Sequence, residues 1–280
     1  MSVPRSFRTR RRTSANVVAI LVAVVVIFPV YWMFSTAFKP PGQIMSATPQ
    51  FLPWPVSTEN FGRALGAPEF LTYLRNSLTV SLATVVLAMV VAVGAALATV
   101  RFSFFGRKTL LVVLVLVQMV PGSAMVIPLY LMLREIGALD MVPGLVLTYL
   151  TFVLPFTVWN LRGFVAAVPV ELEEAAMIDG CSRFHAYRRV VLPLLVPGIV
   201  ATSIFAFINA WDDYLFAYVL MRSQENYTLP VWLVSFSTSV QVDYGATIAA
   251  SAIFSLPVLV FFLFVQRRLV GGLTSGAVKG

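Results

Sequence analysis

The residues best placed for chemistry lie between Glu171 and Pro193, in an otherwise apolar half of the chain. This segment carries four acidic residues, three arginines and His185, the only histidine. A lone histidine without a second His or a nearby Cys does not form a metal-ligand set. Cys181 is the only cysteine, so no intrachain disulfide can form. The segment therefore predicts a polar contact surface and no metal site.

Patterns for nucleotide or covalent chemistry are missing from the sequence. No GxxxxGK[ST] loop occurs, the pattern in which backbone amides and a lysine hold nucleotide phosphates. His185 has no plausible Ser and Asp partners for a hydrolytic triad. We expect no catalytic residue and no cofactor in this chain, so that any energy must come from a partner.

The local pattern of the polar segment predicts two short helices joined by a bend. Acidic residues crowd the first turn after Pro169, where they interact favourably with the helix dipole. Asp179 and Gly180 end this helix, because glycine tolerates the left-handed conformation just past a helix end. Ser182 is suited to cap a second helix. Pro193 and Pro197 predict a turn back into the next apolar stretch.

A second polar cluster, Trp211-Asp212-Asp213-Tyr214 with Asn209 nearby, interrupts a long apolar stretch. A carboxylate inside a membrane span costs about 2.5 kcal/mol or more on insertion scales. The pair should therefore face a cavity, a partner subunit or an interface. We interpret the five residues as lining a translocation path, with structural hydrogen bonding between helices as the alternative.

The elements that must position these residues are transmembrane helices. Of the 280 residues, 59% are hydrophobic and 11% charged, and several apolar runs exceed the roughly 18 residues that mark a membrane span. The formal charge of +8 comes from short basic clusters between apolar runs, which argues against nucleic acid as a partner. We predict an all-α polytopic membrane protein.

Six spans are predicted, after a basic tail at residues 1–16 and before a tail at 266–280. They lie at about residues 17–38, 76–100, 109–133, 142–164, 194–220 and 245–265. Gly94 and its neighbouring alanines predict a close packing face on the second span. Pro121-Gly122 and Pro128 interrupt the third span, and such breaks survive only inside protein or beside a water-filled cavity.

The distribution of basic residues predicts the orientation. Fifteen of the 20 Lys and Arg residues lie in the two tails, in the turn after the second span and around the loop at 166–193. Basic residues are enriched in cytoplasmic loops. We therefore expect both termini and the 166–193 loop on the cytoplasmic side.

The polar segment contains a motif that resembles one of a known protein family. The run Glu174-Ala175-Ala176, three residues, Gly180, nine residues, Val190, one residue, Leu192-Pro193 is similar to the EAA loop of permease subunits in bacterial ATP-binding-cassette (ABC) importers. Val190 stands where that pattern usually has Ile. The likeness to maltose-type carbohydrate permeases covers nearly the whole chain. Further matching pieces are Leu161-Arg162-Gly163-Phe164, Ala210-Trp211-Asp212-Asp213 and the ending from Gly272 to Gly280.

The resemblance implies a type I importer permease fold and assigns residues to roles. The residues of the coupling loop that would contact an ATPase are Glu174, Ala175, Ala176, Asp179, Gly180, Leu192 and Pro193. The C-terminal tail would also reach the ATPase, through Gly272, Leu273, Thr274, Gly276 and Lys279. If the cargo is a sugar, as the resemblance implies, the carboxylates and aromatic faces of the second polar cluster would suit its hydroxyls and rings.

The resemblance also implies the partners. These are a second, homologous permease forming a heterodimer, two ATPase subunits that bind ATP and Mg, an extracytoplasmic sugar-binding protein and membrane lipids, all at the bacterial cytoplasmic (inner) membrane. The expected cargo is a sugar or oligosaccharide, with a polyol or glycerol phosphate as the alternative. An ion-coupled secondary transporter and a non-transporting scaffold are the rivals from other classes.

Overall fold

The computed structural model describes the backbone of residues 5–66, 69–237 and 242–276, and the side chains of residues 16–66, 69–237 and 242–266. Within these ranges the regular structure is helical, apart from one isolated bridge between Ser237 and Val242. The predicted all-α class is confirmed.

The α-helices, numbered along the chain, have the following bounds: α1 Arg5–Ala37, α2 Pro41–Ile44, α3 Glu59–Leu65, α4 Phe70–Arg101, α5 Arg107–Gln118, α6 Val126–Glu135, α7 Val142–Ala167, α8 Glu171–Ile178, α9 Arg183–Ala186, α10 Leu192–Asp212, α11 Leu215–Leu220, α12 Leu229–Ser235 and α13 Tyr244–Gly276. Short 3₁₀ turns lie at Gly122–Met125 and Gln224–Asn226, and a π-helical turn lies at Tyr187–Val191.

Five helical stretches in the described residues are long and apolar enough to cross a membrane. They are Asn16–Ala37, Phe70–Arg101, Val142–Ala167, Arg183–Asp212 and Tyr244–Gln266. A sixth span results if Arg107–Gln118 and Gly122–Glu135, which are bent by 99° at the break between them, cross as one unit. With this bent pair counted as one span, the chain has six, and the predicted six-span membrane fold is confirmed.

The third span breaks at Pro121-Gly122, as predicted, but the second break predicted at Pro128 is wrong, because Pro128 lies in the first turn of α6, where a missing N–H is tolerated. Helix α5 ends at Gln118, and the chain resumes helical structure at Gly122. Pro121 has no N–H to donate and clashes with the preceding turn, so a straight helix cannot pass through it. The bend of 99° follows from this interruption.

The turn predicted at Pro193 is not formed. Residues Arg183–Asp212 run as one continuous helical stretch, because a π-helical turn connects α9 to α10. In that turn the amide of Leu192 donates to the carbonyl of Tyr187, five residues back. Pro193 lies in the first turn of α10, where a missing N–H is tolerated, and the wider π turn accommodates the ring.

Both terminal helices extend into segments that the sequence analysis assigned to tails. Helix α1 begins at Arg5, since no glycine or proline interrupts the chain before Pro29. Helix α13 continues to Gly276. The predicted limits of the tails and of the permease domain stay predictions.

The chain divides into two compact units. The first unit comprises Met1–Pro68 and Leu233–Leu256, and the second comprises Glu69–Trp232 and Pro257–Gly280. The coupling loop and the second polar cluster both belong to the second unit.

A buried asparagine organises the first unit. Asn60 is fully buried, and its side-chain amide donates to the carbonyls of Ala37, at 3.1 Å, and Lys39, at 2.7 Å. Its oxygen accepts from Arg63 at 2.6 Å, and Arg63 pairs with Asp243 at 2.7 Å. These bonds connect the end of α1, helix α3 and the start of α13.

Small side chains allow close helix packing in the second unit. Ala88, Ala92 and Ala96 follow one another at intervals of four along α4 and are completely buried. Residues four apart share one helix face, and alanines there let another helix approach closely. Gly94 does not belong to this face, because a Cβ added to it meets nothing within 4 Å. The predicted packing face is therefore formed by the alanines alone.

Candidate functional site

The coupling loop forms a helix hairpin whose bend depends on Gly180. The amide of Gly180 donates to Met177 O at 3.1 Å, and the amide of Cys181 donates to Ala176 O at 3.0 Å. These two bonds and a φ of +88° at Gly180 define a Schellman motif at the end of α8. The predicted helix ending is confirmed.

Ser182 caps the second helix of the hairpin. Its hydroxyl accepts from the backbone amide of His185 at 3.4 Å and lies 2.8 Å from Nδ1 of the same residue. The predicted N-cap is confirmed, and the only histidine is used in this local contact. Among the described residues, no group of three or more His, Cys, Asp or Glu side chains could hold a metal ion.

The predicted contact residues of the loop are accessible. Six are exposed, namely Glu174, Ala175, Asp179, Gly180, Leu192 and Pro193, and Ala176 is half-buried. Two apolar side chains beside them, Ile178 and Phe184, are 85% and 70% exposed. No contact role was predicted from the sequence for Ile178 or Phe184, although large apolar residues in a polar loop were a signal. Exposed apolar side chains with polar residues around them are typical of a surface that contacts another protein.

One buried ion pair holds this hairpin to the helix bundle. Arg101 Nε, at the end of α4, lies 2.6 Å from Glu173 Oε1, and the two side chains are only 10% and 5% exposed. The same guanidinium donates to the carbonyl of Val168 at 2.7 Å. Sequence reasoning missed this pair, because Glu173 resembles its neighbours Glu171 and Glu174 in type and spacing.

Aromatic contacts provide a second attachment of the hairpin. The rings of Phe102 and Tyr187 meet edge to face, with 6.5 Å between their centroids. The guanidinium of Arg183 lies 5.5 Å from the centroid of the Phe102 ring. The turn after α4 therefore contacts the second helix of the hairpin and the π-helical turn that follows it.

The second polar cluster separates into an exposed pair and a buried set. Asn209 and Asp212 are exposed on α10, three residues apart and thus on one face. The side chain of Asn209 donates to the carbonyl of Phe205 at 2.9 Å. In the described part of the chain, no hydrogen bond to the carboxylate of Asp212 is formed. A carboxylate exposed on a membrane helix requires water or a partner subunit beside it.

Asp213 has a structural position. One of its carboxylate oxygens accepts from the hydroxyl of Tyr149 at 2.9 Å and from the amides of Phe216 and Ala217 at 3.1 and 3.2 Å. These bonds cap the first turn of α11 and attach it to α7. Asp213 thus makes the hydrogen bonds between helices that were the structural alternative, whereas the path role of Asp212 stays a prediction.

The two aromatic residues of the cluster pack within the protein. Trp211 is 1% exposed and stacks on Phe207, with centroids 5.5 Å apart. Tyr214 is partly buried and stacks on Tyr218, with centroids 5.3 Å apart. Their assignment to a translocation path stays a prediction.

The predicted C-terminal contact lies at the limit of the described structure. The backbone of Gly272, Leu273, Thr274 and Gly276 is the last part of α13. Lys279 lies outside the described residues. The role of this segment stays a prediction.

A closed polar network lies at the other end of α7. Asp140, which has a φ of +58°, accepts from the amides of Arg222 and Ser223 at 2.8 and 3.1 Å and from the Ser223 hydroxyl. The side chain of Asn226 donates to the carbonyl of Asp140 at 2.7 Å. Partial burial raises the pKa of Asp140, but the hydrogen bonds outweigh it and lower the pKa to about 2. Sequence reasoning missed this network.

Asn76 completes the network at this end. Its side-chain amide donates to the carbonyls of Glu225 and Tyr227 at 2.7 and 3.0 Å. The hydroxyl of the adjacent Ser77 accepts from the amide of Leu229 at 2.7 Å. We call the set formed by Asp140, Asn76 and the loop 221–228 the Asp140 network.

Comparison with known proteins identifies relatives along the whole chain. Residues 91–273 match the family model described as "Binding-protein-dependent transport system inner membrane component". The chain is 47% identical over 269 residues to the diacetylchitobiose uptake system permease protein DasC of Streptomyces coelicolor, covering 96% of this chain and 98% of that protein. It is 37% identical to the trehalose transport system permease protein SugB of Mycobacterium tuberculosis, covering 97% and 99%.

A solved structure shares the fold. It is the crystal structure of a bacterial ABC transporter involved in the import of the acidic polysaccharide alginate. One of its chains superposes with a TM-score of 0.75 at 22% sequence identity, over 95% of this chain and 99% of that chain. The predicted importer permease fold is confirmed by this match.

Proposed function

Because the chain belongs to the binding-protein-dependent transport system inner membrane component family, we propose that it forms half of the membrane pathway of an ATP-driven importer for a sugar or oligosaccharide. A second, homologous permease forms the other half. Two ATPase subunits bind ATP and Mg, and an extracytoplasmic binding protein delivers the sugar. The site of action is the bacterial inner membrane, with the coupling loop in the cytoplasm.

The observation that carries this proposal is the geometry of the coupling loop. A short helix presents Glu174, Ala175 and Ala176 on an accessible surface, next to the exposed apolar groups of Ile178 and Phe184. Small side chains let this helix enter a cleft deeply, and the carboxylate of Glu174 is available to pair with a donor there. The loop is thus an attachment point for a subunit that the chain itself does not contain.

The internal anchor explains how movement would pass through the loop. The buried pair of Arg101 and Glu173 connects α8 to the end of α4, which itself packs against α7 and α10. A partner that closes on ATP and displaces α8 would therefore displace the ends of membrane helices. Ion pairs buried to this degree resist separation, because a lone buried charge costs several kcal/mol.

The choice of a carbohydrate rests on relatives and on one exposed face. The two relatives described above are named for the uptake of diacetylchitobiose and the transport of trehalose. Asn209 and Asp212 offer an amide and a carboxylate from a membrane helix, the groups that hydrogen-bond sugar hydroxyls. We therefore place a weak sugar-contacting surface at these two residues.

The test is purification of the complex, with and without a substitution in the coupling loop. The tagged chain is purified from native membranes, its partners are identified, and ATP hydrolysis is measured with candidate sugars and the binding protein. We expect a second permease and an ATPase to co-purify, and hydrolysis to rise with one loaded binding protein. Glu174→Lys should reduce both recovery of the ATPase and hydrolysis.

Glu171→Lys is the matched control, since it makes the same charge change on an exposed position of the same helix. Equal loss in both variants would assign the effect to charge alone and contradict specific docking at Glu174. Recovery of the chain without an ATPase, with uptake in vesicles driven by an ion gradient, would overturn the proposed function.

A further inference from the structure

A basic cleft of about 620 Å³ lies in the second unit where α4 ends, α5 begins and α7 approaches its end. Its lining includes the basic residues Arg107, Lys108 and Arg162 and the hydroxyl residues Ser103 and Thr109, with no carboxylate among the described lining residues. The volume falls within the roughly 300–1,000 Å³ of small-molecule sites. We propose that this cleft binds a phosphate group, supplied by the headgroup of an anionic phospholipid.

The positive charges of the cleft are not neutralised within the described structure. The only ion pairs among the described residues join Arg63 to Asp243 and Arg101 to Glu173, and neither pair includes a residue that lines the cleft. The guanidinium of Arg107 donates a single weak bond, at 3.3 Å, to the carbonyl of Phe102, and its backbone amide donates to the carbonyl of Phe104 at 3.3 Å. Three cations around one cavity without an internal anion call for an external one, because like charges repel at short range.

Arg162 provides an independent indication of a missing acceptor. Its Nε is buried and has no hydrogen-bond partner in the described part of the chain. Buried polar groups in proteins are nearly always paired, so the hydrogen-bonding capacity of Arg162 is not met by the described protein groups. The guanidinium carbon of Arg162 lies 5.7 Å from the centroid of the Trp159 ring, which fixes its position at the cleft.

The start of α5 adds to the positive potential. Gly106, at a φ of +85°, precedes the helix and provides no side-chain cap, and the first turn contains no acidic residue. Arg107 and Lys108 therefore lie at the positive end of the helix dipole, an unfavourable arrangement without an anion. The unpaired amides of a first helical turn bind phosphate oxygens readily.

The surroundings favour a lipid as the source of the phosphate. Phe105 is fully exposed next to the basic pair, Phe104 is partly exposed, and α5 has no buried residue in this structure. Arg162 lies five residues before the end of α7, about 7.5 Å along the helix, which corresponds to the membrane interface. A headgroup would occupy the cleft while its acyl chains lie along the apolar surface of α5, and basic clefts between spans bind anionic headgroups.

The inference goes beyond the proposed transport function and does not depend on the sugar carried. None of the predicted coupling or path residues lines the cleft. A change in lipid binding is therefore distinguishable from a change in ATPase docking or sugar uptake.

The test places the protein, with the partners that co-purify, in phosphatidylcholine nanodiscs that contain increasing fractions of dibrominated phosphatidylglycerol. The readout is quenching of Trp159, defined as the signal removed by Trp159→Phe. We expect saturable quenching at low phosphatidylglycerol fractions, and none at the same fractions of dibrominated phosphatidylcholine. The double variant R107Q/K108Q should require an anionic fraction larger by on the order of 30-fold, since each basic residue contributes about a factor of five.

Two further variants keep the test decisive. Arg162→Gln should weaken binding as well, and R107Q/K108Q decides the matter if Arg162→Gln fails to fold. Arg188→Gln is the matched control, because Arg188 is exposed on the same end of the unit but does not line the cleft. An equal shift in Arg188→Gln and the double variant would overturn the site, because it would show non-specific attraction.

Inorganic phosphate distinguishes the source of the anion. Displacement of the brominated lipid only at high phosphate concentration supports the headgroup. Binding of inorganic phosphate at low concentration, with no preference for phosphatidylglycerol, would overturn the lipid assignment in favour of a soluble anion. A third outcome would also overturn the proposal. If the parent protein shows no lipid preference and R107Q/K108Q no longer co-purifies with the ATPase, the cleft binds an acidic protein surface instead.

Discussion

The two ends of α7 use polar residues in opposite ways. At the end near Ala167, the coupling loop is attached to the bundle by one buried ion pair and by the ring contacts of Phe102, and it leaves Ile178, Phe184 and Glu174 uncovered. At the end near Val142, about 39 Å away along the helix, the Asp140 network satisfies its own polar groups through internal hydrogen bonds. One end thus leaves acidic and apolar groups uncovered, whereas the other encloses its polar groups.

The difference teaches that the attachment of the coupling loop and the stability of the 221–228 loop depend on separate sets of residues. In the proposed function, the buried pair of Arg101 and Glu173 would pass a displacement of α8 on to α4, while the outer face of the hairpin stays accessible. A network of many bonds distributes its energy, so that no single displacement releases the whole loop. Changes at the two ends should therefore have separate local effects, which the following predictions test.

The largest effect is expected from Arg101→Ala. It leaves Glu173 buried without a counter-charge, a change that costs about 3–5 kcal/mol. Hydrogen exchange should rise in residues 168–191, and recovery of the ATPase should fall. The control is Arg188→Ala, an exposed arginine of the same segment. Equal exchange increases in residues 221–228 would contradict the separation of the two ends.

Asp140→Ala should have the next largest effect, at the opposite end. It removes a charged acceptor from two amides and a hydroxyl, and hydrogen bonds to charged groups contribute about 1.5–3 kcal/mol. Exchange should rise in residues 221–228 and stay unchanged in the coupling loop. If the coupling loop responds as strongly, the two ends are mechanically connected and the comparison fails.

The same carboxylate predicts a pH dependence of the network. Its pKa is lowered from 3.8 to about 2, so its contribution to stability is complete above about pH 4 and is lost as the pH falls towards 2. Exchange in the 221–228 loop, measured over this range, should rise in the parent protein more than in Asp140→Asn. An identical acid response of both proteins would show that Asp140 is not the titrating group.

Gly180→Val should have a smaller energetic effect but a marked functional one. A β-branched residue at a φ of +88° is strained by about 1–2 kcal/mol. We expect the bend between α8 and α9 to shift, which would reduce ATPase coupling while the bundle stays folded. Gly94→Val is the matched control, because Gly94 has no positive φ and open space around its Cβ. Normal coupling in Gly180→Val would exclude a role for this bend.

The comparison ends with the neighbouring aspartates, of which Asp212 should have the smallest effect on stability. Asp213→Ala removes the cap of α11 and the acceptor of the buried Tyr149 hydroxyl, which should cost about 1–3 kcal/mol, measured as a lower melting temperature. Asp212→Asn should leave melting unchanged and reduce uptake of the transported sugar, because its carboxylate has no partner in the described part of the chain. A lower melting temperature in Asp212→Asn, with reduced uptake but normal melting in Asp213→Ala, would exchange the roles assigned to the two residues.

Local patterns made much of the hairpin predictable. The Ser182 cap and the Gly180 bend were identified correctly, because capping and left-handed turns depend on residues within a few positions. The turn expected at Pro193 was wrong. A proline can be accommodated in a first helical turn after a π turn, and the choice between that arrangement and a bend depends on the packing of the whole span.

The sequence by itself determined the membrane class, the break of the third span at Pro121-Gly122 and the position of the EAA loop, because apolar run length, proline chemistry and motif spacing are local properties. Only the tertiary structure decided that Glu173 and not Glu174 is buried, that Asp213 caps a helix while Asp212 is exposed, and that Arg162 shares one cleft with the adjacent Arg107 and Lys108. The physical reason is that burial and pairing depend on neighbours from other helices. Arg101 lies 72 residues from Glu173, and Tyr149 lies 64 residues from Asp213.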